Sequence, residues 1–199
     1  TAIKAVYSFM EGKDIHLKVT EIEHPDVLLW MVWAIQQYAK MVSWDEARMK
    51  YGKLLKDVME YLAGSKHPNL AVYTNGKEKA VTWMNSTVNG RPVVARTGYV
   101  VEFNALWYNA LCFVADLLAG DEGFAAYLHQ FSEKAAPSFI HTFLNEYGYL
   151  LDYVDGDMMD WSVRPNMIFA AAFDYSPLDS KQKKGVIDIV TKELLTPKG

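Results

Sequence analysis

The chain has 199 residues, 51% hydrophobic, 14% aromatic and 22% charged, which supplies one sizeable domain with a core and excludes a disordered tail. A formal charge of -4 excludes the basic excess of a general nucleic-acid binder. No apolar run is long enough to span a bilayer as a helix, so no membrane partner is expected.

The first helix is expected over about 25–42, where Leu28, Leu29, Val32, Trp33, Ile35 and Gln36 fall at helical spacing. Pro25 suits the first turn, where its missing N–H costs nothing. Ser43-Trp44-Asp45-Glu46 is a capping-box pattern that opens a second helix, to about 63, with Gly64 as its stop. A single cap residue between the two predicts a tight antiparallel pair. Residues 67–100 read as irregular, with Thr74-Asn75-Gly76 as a turn signal and short β-prone pieces. A third helix is expected over about 101–118, ended by Gly120. A fourth is expected over about 122–145, and Pro137 inside it predicts a kink or a split. A β-prone strip over 148–154 leads into the acidic loop Asp155-Gly156-Asp157-Met158-Met159-Asp160. A fifth helix over about 165–174, the turn Ser176-Pro177-Leu178 and a sixth helix over about 179–195 follow. The expected fold class is mainly α. Residues 1–199 form one domain of three consecutive helical hairpins, with short strands only in the loops 67–100 and 146–164.

Three segments mix aromatic rings with carboxylates and amides. They are Thr82-Trp83-Met84-Asn85, the helix start from Glu102 to Leu111, and the stretch from Asp155 through Arg164-Pro165-Asn166. Sugar recognition uses that mixture: a ring face covers the C–H side of a pyranose, while Asp, Glu, Asn or Arg bind adjacent hydroxyls. On the third helix Glu102 and Asn109 share a side, and Asn104 and Tyr108 are an i, i+4 pair. The plain alternative is structural, with Glu102 serving the helix dipole in the first turn and Asn104 hydrogen-bonding a loop.

The carboxylates of the 155–160 loop read as solvated turn acids, one or two of them neutralised by Arg164. The loop lacks the further ligands and the terminal Glu of an EF-hand, so neither metal nor cofactor is expected. His16, His24, His67, His129 and His141 show no metal-type spacing and read as surface or loop residues. Cys112 is the single cysteine and lies in the apolar run Ala110-Leu111-Cys112-Phe113-Val114. It reads as buried rather than nucleophilic, and it points to a reducing, cytoplasmic setting.

In chain order these segments resemble the amylo-α-1,6-glucosidase domain of glycogen-debranching enzymes, especially the bacterial form. Glu102-Phe103-Asn104-Ala105-Leu106-Trp107-Tyr108-Asn109-Ala110-Leu111 is nearly the family string. Asp26-Val27-Leu28-Leu29-Trp30 is similar to a family helix start, and Thr82-Trp83-Met84-Asn85 resembles its Thr-Trp-Met-Asp motif. Asp155-Gly156-Asp157, Arg164-Pro165-Asn166 and Phe169-Ala170 resemble an Asp-rich, Arg-Pro-Asn, Phe-Ala segment, and Glu193 through Gly199 looks like the family's next helix end. The resemblance implies an (α/α)6 toroid of the six-hairpin glycosidase type, of which three hairpins are about half. It also implies hydrolysis, with inversion, of the α-1,6-glucosidic branch points of a glycogen-like glucan. One carboxylic acid would protonate the leaving oxygen and one carboxylate would activate water, roughly 6.5–9.5 Å apart.

The family's acid aligns with Asn85, and an amide cannot do general acid work. Glu102, Asp155 and Asp157 are therefore the candidate catalytic carboxylates, with Glu102 ranked first. Trp83, Asn104, Trp107, Tyr108, Arg164 and Asn166 are the candidate substrate-binding residues, and a branched α-glucan is the expected partner. The family's base is expected in the second half of the toroid, beyond Gly199. The chain alone is then expected to be inactive, and to self-associate or bind its missing half. Two other readings stand beside this one. A glucan-binding or scaffold toroid that lost the chemistry is favoured by Asn85. An unrelated helical interaction protein would use the aromatic loops simply for packing.

Overall fold

The computed structural model of the chain describes residues 26–64 and 72–198. Pro25, His16, His24, His67 and Gly199 lie outside the described residues. Helix α1 spans Asp26–Met41 and α2 spans Trp44–Gly64. Leu28, Leu29, Val32, Ile35 and Gln36 of the expected stripe are buried, and Trp33 packs on the core half-buried. Ser43 caps α2, its Oγ accepting from the Glu46 N–H at 3.1 Å. The Glu46 carboxylate accepts from the Tyr38 hydroxyl at 2.7 Å, tying α2 to α1.

Helix α3 spans Val101–Leu117 and α4 spans Glu122–Phe143. Val101, Phe103, Ala105, Leu106, Ala110, Leu111, Phe113 and Val114 bury α3 on nearly every side, which makes it the central helix. It packs against α1, α2 and α4. Helix α4 turns one face inward through Phe124, Leu128, Ala135, Phe139 and Phe143. Pro137 does not split it, contrary to one of the expected outcomes. Pro137 and Glu133 are exposed, so the carbonyl that the missing N–H releases faces water.

A 3₁₀ turn at Pro165–Met167 runs into the short helix α5, Ile168–Ala172, and α6 follows at Ser180–Glu193. Asp179 and Gln182 form a reciprocal capping box on α6. The helices pack in the consecutive pairs α1–α2, α3–α4 and α5–α6, and α3 also touches α5. The expectation of a mainly α-helical chain of three hairpins agrees with this arrangement among the described residues.

The two long loops are joined to each other, which the sequence does not announce. Strands β1 (Tyr73–Thr74), β4 (Gly98–Val100), β5 (Tyr153–Asp155) and β6 (Met158–Met159) form one antiparallel sheet in the order β1-β4-β5-β6. Strands β2 (Thr87–Val88) and β3 (Arg91–Pro92) form a separate hairpin. The acidic loop is thus a β-hairpin, with Asp155 opposite Met158 and Gly156 at φ 61 in the first turn position. Gly98 is required where β4 meets β5. Its φ is +83, and a Cβ there would lie 2.2 Å from the Val154 carbonyl oxygen. Among the described residues no helix is long and apolar enough to cross a membrane.

Candidate active site

The β4–β5 pairing brings together three buried charged side chains that flank it in sequence. Arg96 precedes β4, Asp152 precedes β5, and Glu102 lies in the first turn of α3. The Val101 N–H donates to the Asp152 carbonyl at 3.1 Å, which fixes the helix start against β5. Arg96 is 2% exposed and Glu102 0%. Arg96 Nη1 and Nη2 donate to Glu102 Oε1 and Oε2 at 2.5 and 2.6 Å. Its Nε and Nη2 donate to Asp152 Oδ2 and Oδ1, both at 2.8 Å. One guanidinium thus grips two carboxylates in paired forks. Gly76 makes room for this residue, since a Cβ there would lie 2.0 Å from the Arg96 carbonyl oxygen.

Burial pushes the Glu102 carboxyl above the usual range, and the Arg96 hydrogen bonds pull the other way. Burial also works against the Arg96 cation, but Glu102 and Asp152 outweigh it and hold the guanidinium's pKa above its ordinary value. Charges this deeply buried persist only when paired and hydrogen-bonded, and here they are both.

The network continues outward from Asp152. Its Oδ2 also accepts from Arg164 Nη1 at 2.8 Å, and its Oδ1 from Asn166 Nδ2 at 2.7 Å. Arg164 Nη1 donates as well to Asp160 Oδ2 at 2.9 Å. Burial pushes Asp160 up, but the Ser162 hydrogen bonds and Arg164 prevail and leave its carboxyl below the usual range. The Asn166 Oδ1 accepts from the Trp83 indole N–H at 3.1 Å. Asn166 is wholly buried, while Trp83 is 53% exposed. The polar chain therefore surfaces at the exposed Trp83 indole and at the partly exposed Arg164 side chain. Asn85 is exposed beside Trp83, its N–H donating to the Trp83 carbonyl at 3.0 Å.

Trp83, Glu102, Arg164 and Asn166 thus share one hydrogen-bonded network, with Asn85 at its rim. Glu102 belongs to the network from the inside, through Arg96. Other expected pocket residues lie elsewhere. Asn104 is buried and clamps the backbone of Val72, accepting from its N–H at 2.7 Å and donating to its carbonyl at 3.2 Å. That is the loop-bonding role of the structural alternative. Trp107 is a core side chain, 4% exposed. Tyr108 is half-buried against Cys112, and burial pushes its hydroxyl up to about 12. Asp155 pairs with Lys77 at 3.0 Å and accepts from the Tyr73 hydroxyl at 2.8 Å. Those two contacts hold its carboxyl below the usual range. Asp157 is exposed in the β5–β6 turn.

Arg96 and Asp152, the centre of the network, escape a reading of the sequence. Each is a lone charge in an apolar strip, after Val93-Val94-Ala95 and after Leu150-Leu151. That isolation is the one signal that could have marked them as buried and paired. Cys112, expected to be buried, is half-buried, and burial pushes its thiol up. His129 and His141 are exposed.

A protein-family model described as amylo-alpha-1,6-glucosidase matches residues 19–199. No curated protein matches the chain. The match takes in all three hairpins, the sheet and the Arg96 network, and the chain belongs to the amylo-α-1,6-glucosidase family.

Proposed function

We propose that the chain forms one wall of a catalytic domain that hydrolyses α-1,6-glucosidic branch points of a glycogen-like glucan, with inversion, within an (α/α)6 toroid. The observation that carries this reading is the exposed Trp83 indole bonded to Asn166, whose amide shares the Asp152 carboxylate with the Arg164 guanidinium, in a chain of this family. The indole face covers the C–H side of a glucose ring. Arg164 and Asn85 supply donors and an acceptor for its hydroxyls. Glu102, fully enclosed and held by two Arg96 N–H groups, supports this wall rather than touching substrate. The cytoplasm, where glycogen is stored, is the proposed setting.

Inversion needs two free carboxyls facing across the bond. In the network Glu102 and Asp152 are engaged by Arg96, and Asp160 by Arg164. Asp155 is engaged by Lys77, which leaves Asp157 as the least committed of the original candidates. The chain alone is therefore proposed to release no glucose, its catalytic pair being completed by other parts of the domain. Self-association of the chain in isolation is proposed with it. The test is free glucose released from a limit dextrin by the chain alone and by a complete domain that contains it. Turnover only by the complete domain is expected. Turnover by the chain alone that is abolished by Glu102→Gln would overturn the proposal and make Glu102 the acid.

A second reading rests on Asn85. Exposed beside Trp83, at the position where the family's acid aligns, it suits a toroid that binds glucan without cleaving it. A complete domain that binds limit dextrin and yields no glucose would select this reading.

A further inference from the structure

We propose that Asp152 is the positioning residue of this wall. It fixes the Trp83 indole through the Asn166 amide and the Arg164 guanidinium directly, so one buried carboxylate orients two surface groups. The inference rests on the reading of Trp83 as a sugar platform.

An ionised carboxylate offers about four acceptor sites. Asp152 fills them with Arg96 Nε and Nη2, Arg164 Nη1 and Asn166 Nδ2, at 2.7–2.8 Å. These donors come from two separate stretches, the approach to β4 and the 3₁₀ turn before α5. The carboxylate therefore locks the 164–166 segment to the sheet. Arg96, itself gripped by Glu102, holds Asp152 from below.

The Asn166 amide transmits this order with a fixed polarity. Its Nδ2 faces the Asp152 anion and its Oδ1 faces the Trp83 N–H. A reversed amide would set oxygen against carboxylate and N–H against N–H, which excludes the flip. Trp83 lies in neither helix nor strand, and half of its surface meets solvent. The bond to Asn166 ties that ring to the rigid turn before any ligand arrives, which lowers the ordering cost of binding.

The test uses Asn166→Leu and Asn166→Asp in the 199-residue chain. Each is also made with Trp83→Phe, so that the difference isolates Trp83 from the other tryptophans. Near-ultraviolet circular dichroism and acrylamide quenching report the indole, and far-ultraviolet dichroism reports the fold. Titration with limit dextrin reports binding. Asn166→Leu is expected to abolish the ordered Trp83 signal, raise its quenching and weaken dextrin binding by about three- to tenfold.

Asn166→Asp sets a second carboxylate against Asp152, among Arg96, Arg164, Glu102 and Asp160. Two carboxylates in one site raise the pKa of one of them. At neutral pH the variant is expected to lose the Trp83 signal. Towards about pH 5 the introduced carboxyl takes up a proton, donates to Asp152 and accepts from the indole, and the signal returns. Asn166→Leu shows no such recovery. A wild-type Trp83 signal in Asn166→Leu overturns the proposal, as does a Trp83 signal in Asn166→Asp that ignores pH. If either variant loses its helical signal, the other decides. If both variants behave as expected but the unaltered chain binds no dextrin, positioning stands and the sugar reading fails.

Discussion

Arg96 is the cation that pairs both Glu102 and Asp152. Its removal leaves Glu102 and Asp152 buried with no cation between them. Arg96→Met should therefore destabilise the chain by about 3–5 kcal/mol, the usual range for breaking a buried pair. Urea denaturation measures this, and a loss under about 1 kcal/mol would show the network to be slack. Asp155 makes a prediction in pH. Its carboxyl is held below its ordinary value by Lys77 and Tyr73, so the folded state binds its proton less readily than the unfolded state. The resulting stability is present above the ordinary Asp pKa of about 3.9 and is lost as pH falls through the lower folded value. Lys77→Ala should shrink that acid-side loss and leave the slope near neutral pH unchanged, as followed by thermal melts from neutral to acid. At this scale the sequence shows which residues carry chemistry better than it shows what they touch. Trp83, Arg164 and Asn166 stand in recognisable motifs. Arg96 and Asp152 are 56 residues apart, and only the fold makes them neighbours.

The helices were the legible elements, because each signals itself locally. The α1 stripe, the Ser43 and Asp179 caps and the apolar face of α4 are periodic or terminal patterns that need no distant partner. The sheet is different. Its strands are two or three residues long, and its central pair, β4 and β5, comes from loops that α3 and α4 separate, so no short window of sequence contains that pairing. The β2–β3 hairpin does leave a local mark in Asn89-Gly90, both at positive φ. Two substitutions test these assignments by chemical denaturation. Gly98→Ala places a methyl against the Val154 carbonyl in a left-handed conformation and should cost about 1–3 kcal/mol. Asp179→Ala removes the cap of α6 and should cost about 1 kcal/mol. A neutral Gly98→Ala would mean that β4 and β5 do not meet as described.

At the scale of the described residues, three helical hairpins and the four-stranded sheet carry a buried ionic cluster to the surface at Trp83. We propose that this surface takes α-glucan. Family membership gives the claim its substrate class, and the described geometry gives it an indole and a guanidinium edge. The most direct measurement is equilibrium binding of limit dextrin to the chain, compared with Trp83→Ala and with Trp161→Ala as a control exposed ring. Saturable binding is expected, about tenfold weaker in Trp83→Ala, which is the loss of roughly 1.4 kcal/mol of ring contact, and little changed in Trp161→Ala. Binding that survives Trp83→Ala intact, or no binding by the unaltered chain, would contradict it.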